Sequence, residues 1–426
     1  MAGDTIFAHS SGRPPAAIAI IRISGPRAHA AGQALGGSLP AAREAAVREL
    51  RDGSGALLDR ALVLRFDAPA SATGEDSVEL HCHGGRAVVD AVLSALTGMD
   101  GLRAAEPGEF TRRAFANGRI DLTEAEGLAD LIEAETESQR KAALALAEGG
   151  LRRQIAQWQE RLLTLSAEAE RAIDYVGDEE ETEDPARALA CADLARELEA
   201  WLARPRAEPL KDGVRVVVAG PPNAGKSSLI NAIVGSDRVI VSDVAGTTRD
   251  YVEVPLALRG VPMVLTDTAG LRATVDQVEA IGVERAESLV EAADILLWLG
   301  AHDAAPRHPR PILLHSKADM PDRSLAPADS LAVSAVSGAG IPALLERIAA
   351  AAAALLPAED AIALNRRQAA HLVDAAGALR DAASCRDPVL AAEGLRAARA
   401  AFDRMTGRAD FEDVLDALFS RFCLGK

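Results

Sequence analysis

Leu151, Ile155, Trp158, Leu162, Leu165, Ala169 and Ala172 recur at alternating steps of four and three residues. That spacing places apolar side chains on one face of a helix and predicts one long helix there. Upstream the texture differs. Residues 18–23 (IAIIRI), 61–66 (ALVLRF) and 77–82 (SVELHC) are short apolar-rich runs set among Gly and Pro, and they read as strands with helical stretches between them. Residues 1–118 are therefore expected to form a small α+β domain, and from about Leu122 the pattern turns helical. Farther on, the apolar runs at 214–219, 263–266 and 312–314 alternate with helical segments, as a parallel sheet requires. After Pro357 the chain reads as helical again, with Phe411, Leu415, Leu418 and Phe422 marking an apolar face. The expected organisation is a multidomain α/β plus α protein. An N-terminal α+β domain spans 1–118, and a helical domain (119–212 and 357–426) is interrupted by an inserted α/β domain at 213–356.

Composition narrows the class. The chain has 426 residues, 49% hydrophobic and 26% charged, an ordinary globular balance. No apolar run approaches the roughly 18 residues that span a bilayer, and Met1-Ala2-Gly3-Asp4 lacks the basic and apolar regions of a signal peptide. A cytoplasmic protein with no membrane partner is expected. Cys82, Cys191, Cys385 and Cys423 lie far apart and form no CxxC pair, so no disulfide framework or structural zinc is expected. His81-Cys82-His83 has metal-binding residue types, but alternate strand residues face opposite sides, so no metal is expected there. The net charge of −17 argues against broad nonspecific binding to nucleic acid or anionic membrane, though not against a local basic patch or a basic partner. The acidic run 178–184 reads as a solvated loop.

The inserted region carries the chemistry. The buried-strand run 214–219 leads into Gly220-Pro221-Pro222-Asn223-Ala224-Gly225-Lys226-Ser227, which fits GxxxxGK[ST], and a helix beginning at Ser228 follows. In such a P-loop the glycines let backbone N–H groups close around a β-phosphate. Lys226 then serves the β- and γ-phosphates, and the Ser227 hydroxyl ligates Mg²⁺. Ala245-Gly246-Thr247-Thr248-Arg249-Asp250 offers a threonine, Thr248, for Mg²⁺ and the γ-phosphate. Asp267-Thr268-Ala269-Gly270 follows a strand, so Asp267 can hold Mg²⁺ through water and the Gly270 N–H can sense the γ-phosphate. Ser316-Lys317-Ala318-Asp319 follows another strand. A carboxylate there can accept both N1–H and N2–H₂ of guanine, a pair adenine does not offer. Val333-Ser334-Ala335 resembles the loop that contacts the guanine oxygen. Together these segments imply a Ras-like GTPase domain.

Two departures stand out. Ser316 occupies a position where GTPases usually carry Asn or Thr, and its shorter side chain is expected to weaken base binding. Only residues 301–310 are available between the strands near Leu296 and Leu313, and they include Pro306 and Pro309. A parallel crossover normally needs a dozen or more residues and tolerates no such prolines in a helix. A surface helix is therefore expected to be replaced by a loop.

Hydrolysis needs a group to orient water, and Leu271 stands where many GTPases have Gln. Glu279 is the best candidate in the segment that follows. No arginine finger is apparent, and Asn223 could instead ligate a monovalent cation against the phosphates.

With these residues in place, the chain resembles the MnmE (TrmE) family of tRNA-modification GTPases. The resemblance extends through Asp4-Thr5-Ile6, Arg22-Ile23-Ser24-Gly25, Thr73-Gly74-Glu75-Asp76, His83-Gly84-Gly85, Pro107-Gly108-Glu109-Phe110-Thr111, the run 114–119 (AFANGR) and the terminal Phe422-Cys423-Leu424-Gly425-Lys426. It implies an N-terminal domain that dimerises and binds a tetrahydrofolate derivative, 5-formyl or 5,10-methylene. It implies a homodimer that joins a flavoprotein partner of the MnmG type, carrying FAD, in a heterotetramer. Their product would be a 5-carboxymethylaminomethyl or 5-aminomethyl uridine at the tRNA wobble position, from glycine or ammonium. The resemblance also implies potassium activation through Asn223, Ser242, Val244 and Thr247, water orientation by Glu279, and folate contacts at Arg22, Glu79, Arg119 and Lys426. Physically, arginine and lysine suit a glutamate tail, and Glu79 can accept hydrogen bonds from a pterin N–H edge. Cys423 is a candidate catalytic thiol, with a buried apolar role beside Phe422 as the alternative. The competing function is a GTP-dependent RNA or ribosome-assembly switch. Such proteins share the Gly-Thr-Thr-Arg-Asp and DxxG motifs but usually append a basic RNA-binding module.

Overall fold

The computed structural model describes residues 3–174, 185–241, 253–268, 287–321, 326–358, 361–408, 412–420, 422 and 425. The chain divides into two compact units, one of residues 1–129, 151–153 and 403–426, the other of 130–150 and 154–402.

In the first unit the chain runs β1 (Thr5–His9), β2 (Ile18–Ser24), α1 (Ala28–Gly36), β3 (Ala45–Arg51), β4 (Leu57–Phe66), β5 (Ser77–His83), α2 (Arg86–Thr97), β6 (Leu102–Ala104), α3 (Glu109–Ala116) and α4 (Leu122–Glu133). The strands form one sheet in the order β3-β4-β5-β2-β1-β6, antiparallel except for the β1/β6 pair. Alternation decides which face is covered. Ile21 and Ile23 of β2 and Val78, Leu80 and Cys82 of β5 point into a core with Ala28, Ala31 and Leu35 of α1 and Val92 and Leu96 of α2. Ile20, Arg22, Glu79 and His81 occupy the opposite, less buried face. The His81-Cys82-His83 run divides accordingly. His81 meets Glu79 at 3.3 Å, the His83 side chain pairs with Asp59 at 2.7 Å, and Cys82 lies in the core, where burial pushes its thiol up to about 12.

The second unit contains helical and α/β parts. Its helices α5 (Glu137–Ala147), α6 (Gly150–Asp174) and α7 (Pro185–Leu202) precede the short α8 (Glu208–Lys211). The predicted stripe is the buried face of α6 from Leu151 to Ala169, whereas Ala172 is exposed. Trp158 anchors it by packing edge-on against Trp201 of α7, with centroids 5.3 Å apart. Its indole N–H donates to Glu197 at 2.8 Å, which satisfies the polar edge of a fully buried ring.

The α/β part runs β7 (Val214–Ala219), α9 (Lys226–Val234), β8 (Val239–Val241), β9 (Glu253–Leu258), β10 (Val261–Asp267), β11 (Ile295–Trp298), β12 (Pro311–Ser316), β13 (Leu331–Val333) and α10 (Ile341–Ala353). The sheet order is β13-β12-β11-β7-β10-β9-β8. Its first five strands are parallel, with antiparallel pairing only at β10/β9 and β9/β8. Val216, Val218, Leu265, Leu297 and Leu314 pack with Ile230 and Ile233 of α9 and Leu344 and Ile348 of α10. Between β11 and β12 the connection holds a single 3₁₀ turn, His302–Ala304, in place of a crossover helix. A cavity of about 450 Å³ lies beside the P-loop there, bounded by Pro222, His302, Leu313 and His315.

The chain then continues in α11 (Arg366–Ser384) and α12 (Pro388–Thr406), which belong to the second unit as far as Phe402, and α13 (Glu412–Phe419), which belongs to the first. Asn365 caps α11 with Gln368 in a reciprocal capping box. Arg380 of α11 pairs with Glu199 of α7 at 3.3 Å, and Phe402 of α12 stacks on Trp158 at 5.8 Å.

Among the described residues, no helix is long and apolar enough to cross a membrane.

Candidate functional site

The P-loop forms where a fully paired strand ends and a helix must begin. Gly220 has φ +151, and a Cβ on it would lie 3.1 Å from Leu299 Cβ, so only a bare Cα lets the loop leave β7 against β11. Gly225 at φ +96 precedes the first helical residue, Lys226. Asn223 stands at φ +59 between them, an uncommon conformation for a residue with a side chain. Gly225 is thus the N-cap of α9, and a helix N-terminus of this kind suits an anion.

Lys226 is 8% exposed and its Nζ donates to the carbonyls of Gly220 and Pro221, both at 3.0 Å. Ser227 Oγ donates to Asp267 Oδ2 at 2.7 Å. The parallel register that sets Asp267 opposite Val218 brings these two groups together. A hydroxyl and a carboxylate in contact at the mouth of the loop are an all-oxygen donor pair of the kind Mg²⁺ takes. Thr268 Oγ1 donates to the Val218 carbonyl at 2.9 Å, which ties the start of the next loop back to β7.

The residues expected to contact the base gather on the other side of the P-loop. Ala224, Ser228, Ser316, Lys317, Asp319 and Ala335 are among those lining a cleft of about 260 Å³. Ser334, fully buried, holds this wall. Its hydroxyl oxygen accepts the N–H groups of Val336 and Ser337 at 3.2 and 3.1 Å, and its hydrogen bond to Asp319 keeps that carboxyl below the ordinary aspartate value. Asp319 is thus an acceptor at neutral pH, the state guanine N–H groups need. The Ala318 N–H donates to the Val333 carbonyl at 3.1 Å.

Ser316, whose short side chain is expected to weaken base binding, touches the P-loop directly. Its Oγ donates to the Ala224 carbonyl at 2.9 Å, so the base loop is tied to the P-loop despite the short side chain. Lys317, at φ +59, adds a second tie by donating from Nζ to the Asn223 carbonyl at 2.8 Å. Ser316→Ala would leave the Ala224 carbonyl without this donor at a cost of about 1–2 kcal/mol. The expected result is GTP binding weakened roughly ten-fold, read by titration of a fluorescent GTP analogue.

Several candidate residues lie outside the described residues: Ser242, Asp243, Val244, Ala245, Gly246, Thr247, Thr248, Ala269, Gly270, Glu279, Cys423 and Lys426.

A second constellation occupies the open face of the N-terminal sheet. Arg22 and Glu79 are directly opposed across β2 and β5, and the guanidinium donates to Glu79 Oε1 at 3.0 Å from Nε and 2.9 Å from Nη2. Arg22 Cζ also sits 5.7 Å from the centre of the buried Phe110 ring, a contact the sequence did not disclose. The C-terminus reaches this sheet. A Cβ on Gly425 (φ +94) would lie 2.2 Å from the His9 carbonyl oxygen, and the adjacent residue Ala8 is the register partner of Arg22. Arg119 is exposed just beyond α3, with its Cγ 3.1 Å from where a Cβ on Gly74 would be.

These features coincide with similarities along the whole chain. Residues 122–423 match the model described as MnmE helical domain, and residues 5–119 that described as GTP-binding protein TrmE N-terminus. A protein of Erythrobacter litoralis named tRNA modification GTPase MnmE is 54% identical over 426 residues, covering 99% of this chain and 100% of that protein. The protein of the same name from Novosphingobium aromaticivorans is 51% identical over 435 residues, covering 99% and 100%. The chain belongs to the MnmE family. The P-loop thus lies in the second unit of an MnmE-family chain and the Arg22–Glu79 pair on the open sheet face of the first.

Proposed function

We propose that the chain binds and hydrolyses GTP with Mg²⁺ and that this turnover serves modification of the wobble uridine in tRNA. The observation that carries the GTP reading is the Ser227–Asp267 contact at 2.7 Å, together with a base cleft that presents an ionised Asp319. Lys226 supplies charge to the β- and γ-phosphates, Ser227 and Thr248 hold the metal, and Asp319 selects guanine. Mg²⁺, when bound, neutralises charge developing between the phosphates. Glu279 orients the attacking water in the place that Leu271 cannot fill. Asn223, Ser242, Val244 and Thr247 would hold a potassium ion, which would supply the positive charge of an arginine finger. Organised as an N-terminal domain (1–118), a helical domain (119–212 and 357–426) and an inserted GTPase domain (213–356), the chain acts as a homodimer with an MnmG-type flavoprotein. The N-terminal domain holds a tetrahydrofolate one-carbon carrier through Arg22, Glu79, Arg119 and Lys426. The donor set fits that ligand: guanidinium groups match a glutamate tail bidentately, and the Glu79 carboxylate accepts from a pterin edge.

The test has two arms. Cells lacking the protein should contain tRNA whose wobble uridines lack the aminomethyl-type group at C5, by mass spectrometry of nucleosides. Purified protein should hydrolyse GTP at least ten-fold faster in potassium than in sodium at equal ionic strength. Intact wobble modification would overturn the tRNA reading, and equal rates would remove the cation from the mechanism.

A further inference from the structure

We infer that Thr73 and Asn117 are positioning residues that fix Arg119 relative to the Arg22–Glu79 pair. The inference rests on the reading that these three charged residues hold the one-carbon carrier. Arg22 and Ser24 are two residues apart on β2, so they share a face of the strand, roughly 7 Å apart. Ser24 is fully buried because the loop at 71–76 lies over it. Its hydroxyl donates to Glu75 Oε2 at 2.8 Å and meets Thr73 Oγ1 at 2.6 Å. A serine hydroxyl has one proton, and here it is committed to a carboxylate that also pairs with Arg113. Thr73 is therefore the donor in the Ser24–Thr73 bond.

From Thr73 the connection passes to the other side of the site. The Asn117 amide donates from Nδ2 to the Thr73 carbonyl at 2.7 Å. Asn117 belongs to the turn that ends α3, in which the Asn117, Gly118 and Arg119 amides donate to the Arg113, Phe115 and Ala114 carbonyls. Arg119 leaves this turn two residues on, and its stem runs along Gly74. At φ +79 with no Cβ, Gly74 is the one loop position that gives that stem room: a Cβ would come within 3.0 Å of Asn117 Cβ and 3.1 Å of Arg119 Cγ. A continuous chain of short hydrogen bonds, Ser24 to Thr73 to Asn117, thus joins the strand bearing Arg22 to the turn bearing Arg119. Glu75 braces it, 3.2 Å from Arg113 on α3. Neither Thr73 nor Asn117 carries charge suited to a carboxylate ligand. Their contribution is the spacing of two guanidinium groups that must meet one ligand molecule, where a misplacement of about 1 Å is costly.

The experiment is a double-mutant cycle on the full chain, with 5-formyltetrahydrofolate binding measured calorimetrically. Asn117→Asp keeps the side-chain shape and removes the donor, and Thr73→Val keeps the shape and removes the hydroxyl. Each should raise Kd about ten-fold in the wild-type background and less than two-fold in an Arg119→Ala background, because each acts through Arg119. Equal weakening in both backgrounds would reveal a merely structural role and overturn the proposal, as would wild-type affinity in both variants while Arg119→Ala binds weakly. If Arg119→Ala and Arg22→Ala both bind as tightly as wild type, or the wild type itself does not bind, the carrier reading itself fails and takes this inference with it.

Discussion

Lys226→Ala will reduce GTP turnover by at least about three orders of magnitude, a loss of roughly 4 kcal/mol of transition-state stabilisation. The ammonium is nearly enclosed and is held by two loop carbonyls at 3.0 Å each. A buried cation of this kind meets little screening from water, so its field at the adjacent phosphates is strong. The same contacts tie the lysine back to the first residues of its own loop. Removing the side chain takes away the charge and leaves both carbonyls without that donor. Single-turnover hydrolysis at saturating Mg²⁺ and potassium is the measurement, with a fluorescent-nucleotide titration separating binding from chemistry. A variant within three-fold of wild type would mean that another cation serves the phosphates.

The nucleotide side of this molecule was largely legible in the sequence because its parts are local. A run of valines, a glycine-bounded loop and a helix occupy consecutive residues, and strand register then brings Asp267 to Ser227. The short β11–β12 connection was legible too, since ten residues with two prolines cannot build a crossover helix. What chain spacing could not show was distance between segments. That β12 runs close enough to the P-loop for the Ser316 hydroxyl to reach the Ala224 carbonyl is such a distance. Strand β3, with the sequence AAVRELR, carries little intrinsic strand preference and is fixed by pairing with β4. The Thr73–Asn117 bond spans 44 residues, a separation that local spacing does not bridge. Phe110 beneath Arg22 left no sequence signal either.

Gly108→Ala will destabilise the first unit by about 3–5 kcal/mol and release the C-terminal segment. Two penalties combine. Gly108 has φ +71, where a residue with a Cβ costs on the order of 1 kcal/mol. Steric overlap costs more: an added Cβ would lie 2.2 Å from the Phe419 carbonyl oxygen and 2.9 Å from its carbonyl carbon, both backbone atoms that cannot rotate away. The end of α13 must then lift from α3. Phe419 is 2% exposed in a cluster with Ala125, Ala129 and Phe422, and its ring sits 6.3 Å from Phe115 and 6.2 Å from Phe422. Displacing it exposes aromatic surface of a kind whose burial contributes several kcal/mol. Gly118→Ala is the matched control, because Gly118 has nearly the same φ, +68, but no heavy atom within 4 Å of an added Cβ. It should incur the backbone strain alone. Calorimetric unfolding of the two variants will separate strain from overlap, and limited proteolysis should release the C-terminal segment in Gly108→Ala alone. If both variants unfold together within 1 °C of one another, the α13 contact does not hold the C-terminal segment on this unit.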